Sequence, residues 1–233
     1  MITNCLYCER ELVEVMSWRG LFYREGQFLC QGCQEKLEEI EGKRCKGCSR
    51  SMDDLPAILV KGEICLDCHR WEQDPEWEGI LHSNHSTYHY NDFLKEYLAR
   101  FKYRGDYILA KAFSHSLKLY LSKTEYDHII PIPLSDERLY ERGFNQSIAL
   151  LEEAEVRPSN ILARSHSEKQ SKKTRAERLR QEQVFRLAEC DVKGKSILLF
   201  DDIYTTGTTL RQAAKLLKKV GADEVSSLTL ARG

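Results

Sequence analysis

Beyond residue 80 the apolar positions follow two alternating periods. Residues 86–90, Ser-Thr-Tyr-His-Tyr, alternate as in a strand, whereas Phe93, Leu94, Tyr97, Leu98 and Phe101 recur at helical spacing. Continued along the chain, the same reading places helices over 107–121, near 146–154 and over 208–220. It places strands at 128–132, near 160–164, at 196–200 and at 225–231. Strands alternating with helices predict an α/β fold, a mostly parallel sheet with helices on both faces. The aromatic stripe of residues 93–101 reads as core rather than as a base-stacking platform. Upstream the periodicity is lost. Residues 71–79, WEQDPEWEG, are acidic and turn-prone and read as a linker, which divides the chain into 1–70, 71–79 and 80–233.

The cysteines explain why the first segment lacks a pattern of its own. Eight of the nine form four Cys-x-x-Cys pairs: Cys5/Cys8, Cys30/Cys33, Cys45/Cys48 and Cys65/Cys68. A two-residue separation lets both thiolates of a pair face one tetrahedral ion, whereas disulfide frameworks scatter their cysteines over longer loops. A double zinc ribbon with two structural Zn²⁺ ions is expected, its folding driven by metal because so short a segment cannot bury a sufficient core. Consecutive pairing is the simpler arrangement; a cross-braced one, with the first and third pairs sharing an ion, fits the spacing too. Cys190 stands alone. Cys65-Leu-Asp-Cys68-His69 matches the haem-attachment pattern, but the three sister pairs account for it without haem. A thioredoxin-like role is set aside on the expectation that the pairs do not follow a strand and open a helix.

Formal net charge is only -1, yet it is unevenly spread. Through Pro75 there are 10 Lys+Arg against 14 Asp+Glu, and eight metal-bound thiolates would deepen that negative charge. The metal end should repel phosphate and is therefore expected to bind protein. By contrast, residues 164–186 carry eight basic residues against three glutamates. Within them Lys169, Lys172, Lys173, Arg175, Arg178 and Arg180 are candidates for tracking a DNA backbone; a mobile hood over a ligand and a solvated hairpin are the alternatives. The apolar runs are short and the N-terminus lacks a basic-then-apolar layout, so neither a signal peptide nor a membrane span is expected. The reading is of a cytoplasmic protein, held at the inner face of the membrane only through partners.

Two blocks carry candidate chemistry. The strand at 197–200 ends in Asp201-Asp202 and is followed by Thr205, Thr206, Gly207, Thr208 and Thr209 at a helix start. A sugar phosphate needs donors for a dianion and acceptors for vicinal hydroxyls; the Thr-Gly loop and helix end supply the first, the acid pair the second. Gly207 would let the backbone wrap the phosphate. The second block, after Pro131-Ile-Pro133, holds Arg138, Arg142, Gly143, Phe144, Asn145 and Gln146, and arginine forks suit diphosphate oxygens. Lys193-Gly194-Lys195-Ser196 is no P-loop, since Glu189 stands where a glycine is required. His82, His85 and His89 match no ligand spacing.

The acid pair and Thr-Gly loop resemble the phosphoribosyl diphosphate motif of type I phosphoribosyltransferases. That resemblance implies that Asp201 and Asp202 contact the ribose hydroxyls and the Mg²⁺ shell, that Thr205, Thr206, Gly207, Thr208 and Thr209 hold the 5′-phosphate, and that Arg138, Arg142 and Gly143 hold the diphosphate. Purine-type members commonly carry Asp where Thr205 stands, which argues against purine salvage. Taken with the cysteine pairs, Phe101-Lys-Tyr-Arg-Gly-Asp106, Gln170-Ser-Lys-Lys and Arg178, the chain resembles the ComF family over nearly its whole length. The resemblance implies a competence factor for DNA uptake in natural transformation, binding phosphoribosyl diphosphate and single-stranded DNA. Its zinc module would dock the uptake helicase or another competence protein. The alternative is an active Mg²⁺-dependent phosphoribosyltransferase with an unassigned acceptor, as in the neighbouring GntX-like branch or a salvage role. No catalytic residue is assigned.

Overall fold

A computed structural model describes residues 3–12, 27–53, 55–103, 105–164, 184–188 and 191–233. The six basic candidates between Lys169 and Arg180, and Cys190, lie outside the described residues. In chain order the elements are α1 (Gln31–Gln34), β1 (Val60–Lys61), β2 (Ile64–Cys65), α2 (Leu66–Glu72), β3 (Asn84–His89), α3 (Asp92–Tyr103) and α4 (Ser114–Leu121). They continue with β4 (His128–Pro131), α5 (Asp136–Arg142), α6 (Gln146–Glu153), β5 (Leu162–Arg164), β6 (Phe185–Leu187), β7 (Ser196–Tyr204), α7 (Thr208–Lys219) and β8 (Glu224–Arg232).

Four strands form a parallel sheet in the order β3-β8-β7-β4. Strand β7 shows why it lies at the centre. Its apolar run alternates between two cores: Leu198 and Phe200 pack with α3, α4 and α6, and Ile197 and Leu199 pack with α7. A strand buried on both faces needs an unbroken apolar stretch, and Ile-Leu-Leu-Phe supplies it. The helices therefore cover both faces, as the alternating periods required.

Two local expectations are corrected, and one helix is added. The helix read over 107–121 is a 3₁₀ stretch, Tyr107–Phe113, followed by α4. Residues 162–164 pair antiparallel with β6 in a separate two-stranded sheet, so they extend no parallel sheet. Between Pro131 and Gln146 a further helix, α5, forms, capped by the Ser135 side chain at its start and by left-handed Gly143 at its end.

The cysteine-rich segment covers the exposed edge of β3. Ile40 N–H donates to Thr87 O, His89 N–H to Glu38 O and Asn84 N–H to Gly47 O, while Ser49 Oγ donates to Asn84 O. An open parallel edge would invite pairing with another chain, and this segment occupies its donors and acceptors. Residues 71–79 are folded against α7: Trp77 is buried, Glu76 is ion-paired with Lys215, and the Lys215 ammonium sits 4.4 Å from the Trp77 ring centre. No helix among the described residues is long and apolar enough to cross a membrane.

Candidate functional site

The acid pair stands at the C-terminal end of β7, where parallel-sheet proteins place their ligands. Asp202 is buried, with Gln146 Nε2 donating to its Oδ1 at 3.4 Å and the Lys102 ammonium in an ion pair with Oδ2. Asp201 Oδ1 accepts from Ser147 Oγ at 3.2 Å and from the Asp202 backbone N–H at 2.9 Å. Burial, reinforced by the neighbouring Asp202 charge, pushes the Asp201 carboxyl up to about 8. Asp201 thus favours its protonated form at neutral pH.

Sequence chemistry explains how Gln146 and Ser147 reach them. Gly143 ends α5 with φ at 76°, and Asn145 then caps α6 by accepting from the Ser147 and Ile148 N–H groups. The Asn145 amide also donates to Ile132 O, which pins the first turn of α6 beside the end of β4. The block expected to hold diphosphate is therefore a junction between two helices. Its arginines face a cleft: Arg138 and Arg142 line it, and Gly143 does not.

That cleft has a volume of about 730 Å³ and is also lined by Lys102, Gln146, Arg164, Asp201, Asp202, Thr206, Thr208 and Thr209. Four cationic side chains from α3, α5 and β5 thus surround two carboxyl groups. Arg142 lies over the Tyr103 ring and donates to Gln146 Oε1. Burial and the nearby Arg138 charge lower the Arg164 pKa. Such a concentration of positive charge in a recess suits a polyanion.

Across the cleft, Thr206 and Thr208 hydroxyls are 2.9 Å apart at the start of α7, which carries no acidic residue in its first turn and no side-chain cap. An uncapped helix N-terminus of this kind favours a phosphate. Gly207 has φ at 77°, and a Cβ there would collide with Tyr204 and Arg211 beneath the loop. The glycine is thus required by the loop's own support, whatever approaches from above. Arg211, 1% exposed, donates to Tyr204 Oη and stacks on Trp71, whose indole N–H donates to Thr206 O at 3.2 Å. Thr205 is exposed and stands outside the cleft lining.

Sequence reading assigned no role to Lys102, Ser147, Trp71, Tyr204 or Arg211, and counted Arg164 only within the basic stretch 164–186. Lys102 was visible only as the second letter of Phe101-Lys-Tyr-Arg-Gly-Asp106, and nothing in that spacing gives it a partner a hundred residues away.

The cysteines gather as two quartets, Cys5/Cys8/Cys30/Cys33 and Cys45/Cys48/Cys65/Cys68, each with its sulfurs within 4.8 Å of one another. Consecutive pairing is what forms; the cross-braced alternative does not. Sulfurs bound to one tetrahedral Zn²⁺ at about 2.3 Å lie about 3.8 Å apart. Cys8–Cys30 and Cys48–Cys65 measure 3.6 and 3.7 Å, so the donor sets fit. Contrary to the expectation from sequence, Cys65 does follow a strand and caps a helix, as a redox pair would. What commits Cys65 and Cys68 to structure is the full quartet, buried on all four members. Of the histidines, His85 is a half-buried residue of β3 that stacks on Tyr120 at 4.1 Å, and burial lowers its pKa to about 4.

A parallel sheet ending in an acid pair and a Thr-Gly helix start, backed by two four-cysteine modules, defines a phosphoribosyltransferase-type fold joined to a double metal ribbon. Residues 144–233 match the phosphoribosyl transferase domain family. The chain is 41% identical over 234 residues to competence protein ComFC of Bacillus subtilis, covering 98% of this chain and 94% of that one. It is 33% identical to competence protein ComFC of Streptococcus pneumoniae, covering 98% and 100%. Competence protein F of Haemophilus influenzae is 26% identical, covering 88% and 97%. The chain belongs to the ComF family of competence proteins.

Proposed function

We propose that this chain serves DNA uptake in natural transformation, that its cleft binds phosphoribosyl diphosphate, and that the basic residues from Lys169 to Arg180 engage single-stranded DNA. The relatives named for competence support the role. The observation that carries the ligand is the cleft itself, in which Lys102, Arg138, Arg142 and Arg164 face the acid pair and the Thr206–Thr209 loop. Arginines and the helix N-terminus would take the diphosphate and 5′-phosphate, and Asp201 and Asp202 the ribose hydroxyls. The cysteine quartets hold two Zn²⁺ ions and present an acidic surface to a protein partner such as the uptake helicase, which would bring the chain to the inner face of the membrane.

The test is calorimetric titration of the full chain with phosphoribosyl diphosphate, beside transformation assays of Asp201→Asn/Asp202→Asn. Loss of binding with transformation unharmed would separate the ligand site from DNA uptake. For DNA, Lys172→Glu/Lys173→Glu should flatten the salt dependence of single-strand affinity. The cysteine quartets share both hydrophobic cores with the sheet, so substitution in the full chain tests this better than truncation.

A phosphoribosyl transfer to an unassigned acceptor is the second reading, favoured by Asp201, whose carboxyl at about 8 can hold and release a proton near neutral pH within the cleft. Release of diphosphate on addition of candidate acceptors tests it. The donor set does not fit directly bound Mg²⁺. Asp202 is held by Lys102 and Asp201 favours its neutral form, so neither offers the free anionic oxygens that a hard divalent cation requires.

A further inference from the structure

We propose that Lys102 occupies the place of the divalent cation in this cleft, so that the phosphoribosyl ligand is bound without metal. The inference rests on the phosphoribosyl reading above and specifies how that site is charged. Three observations carry it. The first is position: α3 locks its core face through Leu94, Tyr97, Leu98 and Phe101, all fully buried, and Lys102 follows directly on Phe101. Its backbone is therefore fixed by packing, and its side chain reaches across to β7. The second is burial: the side chains of Lys102 and Asp202 are 13% and 7% exposed, so the pair sits in the cleft wall and not on its rim. An ion pair placed there is hard to displace, because removing the ammonium would leave a buried carboxylate uncompensated.

The third observation is charge. Arg138, Arg142 and Arg164 line the same cleft as Lys102, so the cationic groups outnumber the two carboxyl groups before any ligand arrives. A divalent ion at Asp202 would have to expel Lys102 or sit beside it, and like charges a few ångströms apart in a recess repel strongly. Lysine suits the position better than arginine would, since its compact ammonium carries three donors on a point charge. Among the described residues Asp202 is the ion-pair partner of Lys102, and an ammonium carries further N–H donors that can meet a ligand oxygen. A phosphoribosyl diphosphate entering the cleft thus finds its neutralising charge already built into α3.

The experiment is titration calorimetry of the full-length, zinc-loaded protein with phosphoribosyl diphosphate. It is run in buffer stripped of divalent ions by a chelating resin and again with millimolar Mg²⁺, with zinc content measured before and after. The wild-type protein is expected to bind with an affinity that changes by less than about threefold between the two. Lys102→Met should lose about tenfold or more of the metal-free affinity and recover with Mg²⁺, because Asp202 is then free. Lys102→Arg should keep metal-free binding. A wild-type affinity that rises about tenfold or more with Mg²⁺ would overturn the inference and leave the phosphoribosyl reading standing. Absence of binding in both buffers would overturn both. Should Lys102→Met fail to fold, the wild-type comparison decides alone.

Discussion

The two cysteine quartets are built alike and used differently. In each, the first pair sits in a knuckle closed by the same bonds: Cys5 N–H to Arg10 O and Leu12 N–H to Thr3 O in one, Cys45 N–H to Arg50 O and Met52 N–H to Lys43 O in the other. The residue after the second cysteine takes positive φ in both, Glu9 at 61° and Ser49 at 58°. The third cysteine then caps a helix, Cys30 for α1 and Cys65 for α2. The two copies nevertheless pack on opposite faces of the sheet. The first belongs to the core of α3, where Tyr7 stacks on Tyr97 and its carbonyl accepts from Arg100. The second belongs to the core of α7, and its helix α2 carries Trp71 to the Thr206 carbonyl. One quartet thus backs the element that bears Lys102, and the other backs the Thr206–Thr209 loop. The repeated module grips the candidate ligand cleft from both sides.

The strongest way to break this comparison is to remove a ligand from each. Structural Zn²⁺ contributes about 10–16 kcal/mol of apparent binding energy in small zinc modules, so either loss should unfold its knuckle. Cys48 is fully buried within a wholly buried quartet, whereas Cys8 is exposed. Cys48→Ser is expected to lower the thermal midpoint further than Cys8→Ser, and each variant to retain one of two metal equivalents. Calorimetry with metal analysis checks both; the reverse order would show that the second quartet is not the more deeply integrated.

Next comes the point where the two supports meet. Burial and the Asp202 charge raise Asp201 from its ordinary value near 3.8 to about 8. The folded chain therefore keeps a proton through that window that the unfolded chain has lost. Stability from this group is complete below about 3.8 and declines as pH rises towards 8. Asp201→Asn should flatten the pH dependence of the midpoint across the window and be the more stable form at its upper end. Parallel pH profiles of both proteins would refute the buried acid pair.

How much of this was legible depended on range. The strand Ile197–Phe200, the acid pair and the Thr-Gly loop are contiguous in the chain, and their order alone indicated a phosphate site. The cysteine pairs were legible because metal geometry forces short spacing. Lys102 and Trp71 were not, since each meets the site across a fold contact: Lys102 with Asp202, Trp71 with Thr206. The contacts of residues 71–79 were hidden for the same reason. Their acidic, turn-prone composition reads as a linker, and the two tryptophans within it pack edge to face at 5.3 Å and meet Arg211 and Lys215 of α7. Two tryptophans in so short and acidic a stretch mark no helix or strand by themselves, so their partner could only be found in three dimensions.

Gly207→Ala sharpens the comparison on the α7 side. The left-handed backbone and the space taken by Tyr204 and Arg211 both oppose a Cβ. A cost of about 1–3 kcal/mol in stability is expected. Because the strain falls within the phosphate loop, phosphoribosyl diphosphate affinity should drop by about tenfold or more. An unchanged affinity would mean that the Thr206–Thr209 loop does not hold the ligand.

The smallest effects separate the two supports most directly, because they leave both metal sites and the cleft lining in place. Trp71→Phe keeps the aromatic face over Arg211 and removes one hydrogen bond to the Thr206 carbonyl, a loss of about 1 kcal/mol. Tyr7→Leu removes the stack on Tyr97 and the ring beneath Arg100, worth about 0.5–1.5 kcal/mol per aromatic pair. Both should weaken phosphoribosyl diphosphate by a few-fold, but by different routes. Loosening the phosphate loop should cost ribose 5-phosphate as much as the diphosphate, since both present the same 5′-phosphate. Loosening α3 shifts Lys102, which faces the acid pair, so the penalty for Tyr7→Leu should be larger for the diphosphate-bearing ligand. Titrating both variants with both ligands gives four affinities, and equal ratios for the two variants would show that the quartets do not support separate halves of the cleft.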